Sequence, residues 1–243
     1  MKGVVYGPFA QLDLVGLAVW LLSWAGYQWW ASKAGTTRHN LNTAVRPLRW
    51  QWMREAFRCE NRVTDAALVG NLMQSATFLA STTLLVIGGL LALLGTVEKG
   101  TEVVQSLPFA QKTGAAAFEL KALMLTLVFV YALLRFTWSL RLFNLLNIVV
   151  GAFTSRTAVQ KAMADGTGGE DVADAERLIR RAARLNELAG LHFTQGLRAY
   201  YYAVPILLWL VHPWLLVAGS VAITAVTYLM EFRSATVQAL TEH

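Results

Sequence analysis

The sequence predicts an all-α, polytopic transmembrane helix bundle of about five spans, and three observations predict it. Hydrophobic residues make up 56% of the chain, and the mean hydropathy is +0.44. Charged residues make up only 15%, where a soluble domain carries about a quarter. The apolar residues also fall in long runs. The most distinctive is 70–95, GNLMQSATFLASTTLLVIGGLLALLG, which holds no charged residue and is long enough to cross a bilayer as a helix.

The net charge of +6 fits positive-inside topology and attraction to anionic lipid headgroups, not nucleic-acid binding. Its lysines and arginines collect in two connections between apolar runs. The single cysteine, Cys59, excludes an intrachain disulfide and a Cys-based metal cluster.

Span one is predicted over 12–30. It ends in Trp and Tyr, not a small-residue cleavage site, so it reads as a retained span and not a cleaved signal peptide. Helical spacing puts Asp13, Gly16, Trp20, Ser23, Trp24 and Tyr27 on one face. Trp24, Tyr27, Trp29 and Trp30 crowd the far end as an interfacial belt would. The connection 31–65 is basic, with Lys33, Arg38, Arg46, Arg49, Arg54, Arg58 and Arg62 against Glu55 and Glu60. Within it a helix is expected from Leu48, opened by Pro47, with Trp50, Met53 and Phe57 on one side. A basic amphipathic helix carrying Trp lies in the headgroup plane; the alternative is a target helix for a partner protein.

Span two, 66–97, is apolar but carries Asn71, Gln74, Ser75, Ser81, Thr82, Gly88 and Gly89 on one face, with Phe78 and Leu85 the large residues there. Such a face marks helix packing or a cavity lining. A weakly charged connection follows, with a turn near Pro108. Span three, 114–151, would be roughly 55 Å long, beyond the ~30 Å hydrocarbon core, so it should protrude. Arg135 and Arg141 mark the protruding end, since arginine near a span's end can snorkel.

The second connection, 152–196, reads as a helix–loop–helix outside the membrane, broken at 165–169 by DGTGG. The remaining apolar stretch is too long for one crossing and is split at His212-Pro213 into span four, 197–211, and span five, 214–232. Five spans place both basic connections in the cytoplasm, giving an N-out, C-in topology for one transmembrane domain over 1–243. The location this implies is a bacterial inner membrane.

Polar residues inside the spans are the candidate site, because each costs energy unless paired or wetted. The cluster near the cytoplasmic end comprises Asn71, Gln74 and Ser75 from span two, Arg135, Arg141 and Asn144 from span three, and Arg198, Tyr201 and Glu231 from spans four and five. It reads either as a vestibule for an ion, anionic solute or headgroup, or as hydrogen bonds that fix packing. Arg198 lies fifteen residues before Pro213 and Glu231 eighteen after it. Across a tight turn they reach similar depth, and they are predicted to pair. Asp13, Glu119, Lys121 and His212 can approach one another near the opposite surface; Glu119 and Lys121, two apart on a helix, do not face one another and read as separate interface anchors in preference to an acid/base pair. Pro205 frees the Tyr201 carbonyl, which predicts a kink in span four.

Catalytic, cofactor-binding and metal residues are not expected. The four histidines lack i, i+4 spacing, DGTGGED lacks a P-loop's Lys-Ser/Thr, and there is no GxSxG elbow. His192 reads as a satisfied or interfacial residue in preference to a haem ligand.

The runs GNLMQSATFLASTTLLVIGGLLALLG, YALLRFTWSLRLFN, AGLHFTQGLRAYYYAVPILLWLVHP and YLMEFRS together resemble an uncharacterised integral membrane family of bacteria and plants, a domain of unknown function. The resemblance covers most of the chain and implies a membrane protein, with no activity to transfer. The polar and small face of span two, the cytoplasmic polar cluster and the absence of catalytic motifs set the expected function: a non-enzymatic, homo-oligomeric pore or a binder of a small solute or ion. The alternatives are an accessory subunit with a lipid-holding basic surface and, third, a membrane enzyme acting on lipid.

Overall fold

Long apolar runs, interrupted by glycine, proline and charge, divide the chain into helices. The computed structural model describes residues 11–34, 40–59, 61–106, 114–153, 164 and 168–241. Its elements are α1 (Gln11–Ala34), α2 (Leu41–Arg58), α3 (Val63–Leu94), α4 (Val97–Gln105), α5 (Ala115–Gly151), α6 (Gly168–Trp209), α7 (Pro213–Phe232) and α8 (Ala235–Thr241). No strand occurs among the described residues. The helices α3, α5 and the stretch Pro213–Leu240 that begins with α7 are long and apolar enough to cross a membrane. The expected turn near Pro108, the first arm of the helix–loop–helix over 154–163 and its break at 165–167 lie outside the described residues.

Neighbour contacts give the helix directions. Asp13 meets Trp209 and Gln28 meets Arg198, so α1 runs antiparallel to α6. Lys121 meets Trp209 and Ser139 meets Ala189, so α5 is also antiparallel to α6. Met73 meets Asn147, which brings the start of α3 to the end of α5. Tyr27 meets Glu231, and a Cβ on Gly16 would touch Leu216 at 3.1 Å, so α1 and α7 run side by side in one direction.

The main core packs Trp20, Phe129, Phe136, Tyr202, Ile206 and Trp209 between α1, α5 and α6. The face of α1 that begins at Asp13 supplies its share: Asp13, Gly16, Trp20 and Tyr27 are buried. A second core forms at the basic end, where Met53 and Ala56 of α2 meet Phe143, Leu146 and Val150 of α5 and Ala182 and Ala183 of α6.

That second core corrects three expectations. First, α2 begins at Leu41 and contains Pro47, instead of opening on it. The Asn40 side chain accepts from the Thr43 amide at 2.8 Å while the Thr43 hydroxyl accepts from the Asn40 amide at 2.9 Å. This capping box starts the helix before the proline is reached. Second, the apolar side of α2 that the sequence assigns to headgroups is turned onto α5 and α6, with Met53 fully buried. Third, α6 is one helix of 42 residues, ~63 Å long. The extramembrane arm and span four are continuous, and Pro205 sits inside the helix. The connection after α3 also gains a helix, α4, which packs against α5: a Cβ on Gly100 would meet the Phe118 ring at 2.9 Å.

Candidate functional site

The pair expected across the α6–α7 turn is formed. Arg198 Nε donates to Glu231 Oε1 at 2.6 Å and Nη2 to Oε2 at 2.5 Å, a bidentate contact. Arg198 is 4% exposed. Two residues of α1 complete the arrangement. Arg198 Nη1 donates to Gln28 Oε1 at 2.8 Å, and the Tyr27 hydroxyl donates to Glu231 Oε2 at 3.0 Å. The Tyr27 ring also lies under the guanidinium, 5.3 Å away. Both carboxylate oxygens are thus engaged, and three helices are tied at one level. Neither Gln28 nor Tyr27 belongs to the cluster that the sequence predicts. Tyr27 sits on the face that begins at Asp13, and that face was the signal.

The other expected members do not join this group. Arg135 Nη1 donates to His192 Nδ1 at 3.1 Å and stands over the Tyr131 ring, 4.8 Å from its centroid. Arg141 is exposed and lies over the Trp138 ring. Asn144 is exposed and Tyr201 half-buried. On α3, Asn71, Gln74 and Ser75 are exposed and line a surface cleft of about 530 Å³ with Phe78 and Leu79.

The whole polar and small face of α3 turns away from the bundle. Phe78 is 69% and Leu85 77% exposed, and a Cβ on Gly70, Gly88 or Gly89 would meet nothing within 4 Å. The bundle instead receives the opposite face, with Val69, Ala76, Ala80, Thr83 and Ile87 buried. Thr83 reaches Tyr200 of α6 at 2.8 Å through its hydroxyl. The face that spacing assigns to helix packing or a cavity lining therefore neither packs on the other helices of the protomer nor lines its interior. Small apolar residues pack more closely on α5 than amides do, so the amides are left outside.

At the opposite end the structure makes a pair from two of the four residues expected to gather there. Lys121 Nζ lies 3.5 Å from Asp13 Oδ1 and donates to the Trp209 carbonyl at 3.1 Å. Trp209 Nε1 donates to the same Asp13 oxygen at 2.7 Å. Glu119 is exposed, and His212 instead caps α7 by accepting from the Trp214 amide. Glu119 and Lys121 are thus separate, but Lys121 is buried against Asp13 and is not an interface anchor. Among the described residues, no three His, Cys, Asp or Glu side chains are grouped to hold a metal ion.

A family model described as "Protein of unknown function, DUF599" matches residues 15–236. The chain belongs to the DUF599 family. The match takes in α1 from its second turn through α7 and into α8, and so includes every residue of the two buried ion pairs except Asp13. No curated protein and no solved structure matches this DUF599 chain. In it the buried Asp13–Lys121 and Arg198–Glu231 pairs lock helices to one another, while Asn71 and Gln74 of α3 present exposed amides.

Proposed function

We propose that the chain is a non-catalytic, multi-pass protein of a bacterial inner (plasma) membrane. In this reading it self-associates through α3 and binds or conducts a small solute or ion along the seam between protomers. The helices α1, α3, α5, the last part of α6 and α7 are its five spans. The basic end lies in the cytoplasm, giving an N-out, C-in arrangement.

The outward face of α3 carries the proposal. Asn71 and Gln74 present amides on the outside of a helix long and apolar enough to span a bilayer. In hydrocarbon such groups need partners. A second α3 supplies them, and the open Gly88 and Gly89 let the backbones approach. The protomer interior supports a path between subunits and not through one, because Trp20, Phe136, Tyr202 and Trp209 fill it at 1% exposure or less.

The test is the subunit count in lipid nanodiscs, measured by mass photometry, together with conductance in planar bilayers. Gly88→Leu and Gln74→Leu should lower the subunit count and the conductance while leaving protomer melting unchanged. A wild-type monomer in lipid overturns the reading. An intact oligomer in silent bilayers favours instead an accessory subunit, a role supported by the mutual pairing of Arg198 with Glu231 and Lys121 with Asp13.

A further inference from the structure

Between α2 and α6 lies a cavity of about 710 Å³, within the size range of small-molecule pockets. Its wall includes Val45, Leu48, Leu72, Phe193, Leu197 and Leu240. Leu48 and Leu72 are also exposed on the outside, so the apolar wall continues onto the flank of α3. An amphiphile's chain could follow that wall without crossing a polar barrier.

The polar side of the cavity is cationic. Arg49 Nη1 reaches the carbonyl oxygens of Asn186 and Glu187, both at 3.4 Å. Those carbonyls lie within α6 and already serve its helical hydrogen bonds. No described residue accepts from Arg49 Nε or Nη2. The guanidinium occupies the space left by Gly190, where any Cβ would overlap it. Asn186 also lines the cavity, is 2% exposed, and its Nδ2 has no hydrogen-bond partner.

Local charge is not balanced. Glu187 is shared by Arg46 at 3.4 Å and Arg184 at 3.0 Å, which leaves Arg49 with no carboxylate in ion-pair contact. Burial pushes the Arg49 guanidinium below its ordinary pKa, and the field of Glu187 opposes that only in part. One buried donor without an acceptor, Asn186 Nδ2, beside a half-buried guanidinium with no carboxylate partner favours an anionic oxygen at this position.

We propose that this cavity takes one anionic phospholipid from the leaflet at the basic end. Its phosphate lies against the Arg49 guanidinium and the Asn186 amide, and one acyl chain lies along Val45, Leu48, Leu72 and Leu197. The site rests on the membrane placement proposed above but not on self-association. It makes α2 the outer jaw of a lipid clamp, held to α6 partly through its occupant.

The test uses the full-length chain, purified and delipidated in a non-ionic detergent. Native mass spectrometry then follows titration with dioctanoyl phosphatidylglycerol, with dioctanoyl phosphatidylcholine, and with inorganic phosphate. One phosphatidylglycerol per chain is expected, bound at least about tenfold more tightly than the other two, as loss of a charge-assisted contact implies. Arg49→Gln should remove that preference, while Arg54→Gln, exposed and outside the cavity wall, should keep it. Should Arg49→Gln fail to fold, Leu48→Trp at an exposed position is expected to block the chain path and weaken phosphatidylglycerol but not inorganic phosphate. Equal binding of the two lipids, or phosphate bound as tightly as phosphatidylglycerol, overturns the proposal. So does phosphatidylglycerol affinity untouched by Leu48→Trp. A monomer that binds the lipid defeats self-association only, and an oligomer that binds none defeats this site only.

Discussion

Lys121 Nζ lies 3.5 Å from Asp13 Oδ1, and both side chains are buried at the end of the bundle away from the basic connections. The Trp209 ring stands 5.1 Å from the ammonium, and its indole N–H donates to the same carboxylate. One residue each from α1, α5 and α6 therefore closes that end.

Removing either charge alone takes this counter-charge from the other, which stays buried, at a cost of ~3–5 kcal/mol. Asp13→Asn and Lys121→Met are each expected to lower the melting temperature in detergent sharply. The double variant is neutral, keeps an acceptor for Trp209 Nε1, and should recover most of the loss. A double variant as unstable as the worse single one would show that the pair is not the source of the effect.

Arg198 and Glu231 offer a stricter version of the same experiment, because their contact is bidentate. Reversing both, Arg198→Glu with Glu231→Arg, keeps a salt bridge between α6 and α7. Gln28 can turn its amide to donate, and the Tyr27 hydroxyl can accept. The two single reversals should be defective and the double should recover, with a coupling of ~0.5–3 kcal/mol in a double-mutant cycle. Strictly additive defects count against this prediction.

The reasons this pair was legible while the α3 face was not are physical. A tight turn fixes two helices antiparallel, so counting residues from Pro213 gives the depth of Arg198 and Glu231 directly. The helix ends were legible for a similar reason: α5 occupies Ala115–Gly151 and α7 Pro213–Phe232, since apolar runs end where glycine, proline or charge interrupts them. Spacing also groups Asn71, Gln74, Gly88 and Gly89 on one face, but it carries no information on which way the face turns. Burial of Ala76, Ala80 and Thr83 against α5 and α6 decides that. The Arg49 cavity was equally hidden, because it depends on Gly190 standing 141 positions away in the chain and opposite the guanidinium.

Gly196 tests the close approach of α5 and α6. A Cβ there would overlap the Phe136 ring, whose side chain is fully buried. Gly196→Ala should therefore destabilise by ~1–3 kcal/mol through overpacking. Adding Phe136→Leu should return part of that by withdrawing the ring edge. At Gly88, where nothing lies within 4 Å, the same change to Ala should instead raise protomer stability by ~0.4–1 kcal/mol, the usual gain in a compatible helix. Thermal melts of both variants in detergent check the contrast. Equal effects at the two glycines would mean that helix propensity dominates at both.

The last prediction concerns how α2 is held. Trp52 Nε1 donates to Asp65 Oδ1 at 2.7 Å, linking α2 to the first turn of α3, and Asp65 is buried. Trp52→Phe keeps an aromatic ring but leaves that carboxylate without the indole donor, at a cost of ~1–3 kcal/mol. The main core between α1, α5 and α6 does not include this contact, so the loss should be local. Amide exchange is expected to quicken across α2 and the start of α3 while protection in the middle of α5 is unchanged. A helix held only by headgroups would give a different pattern, since its exchange would follow lipid composition and ignore the Trp52 hydrogen bond. Unchanged α2 protection in Trp52→Phe, combined with strong dependence on lipid charge, would return α2 to the membrane surface and remove its link to α3 as an anchor.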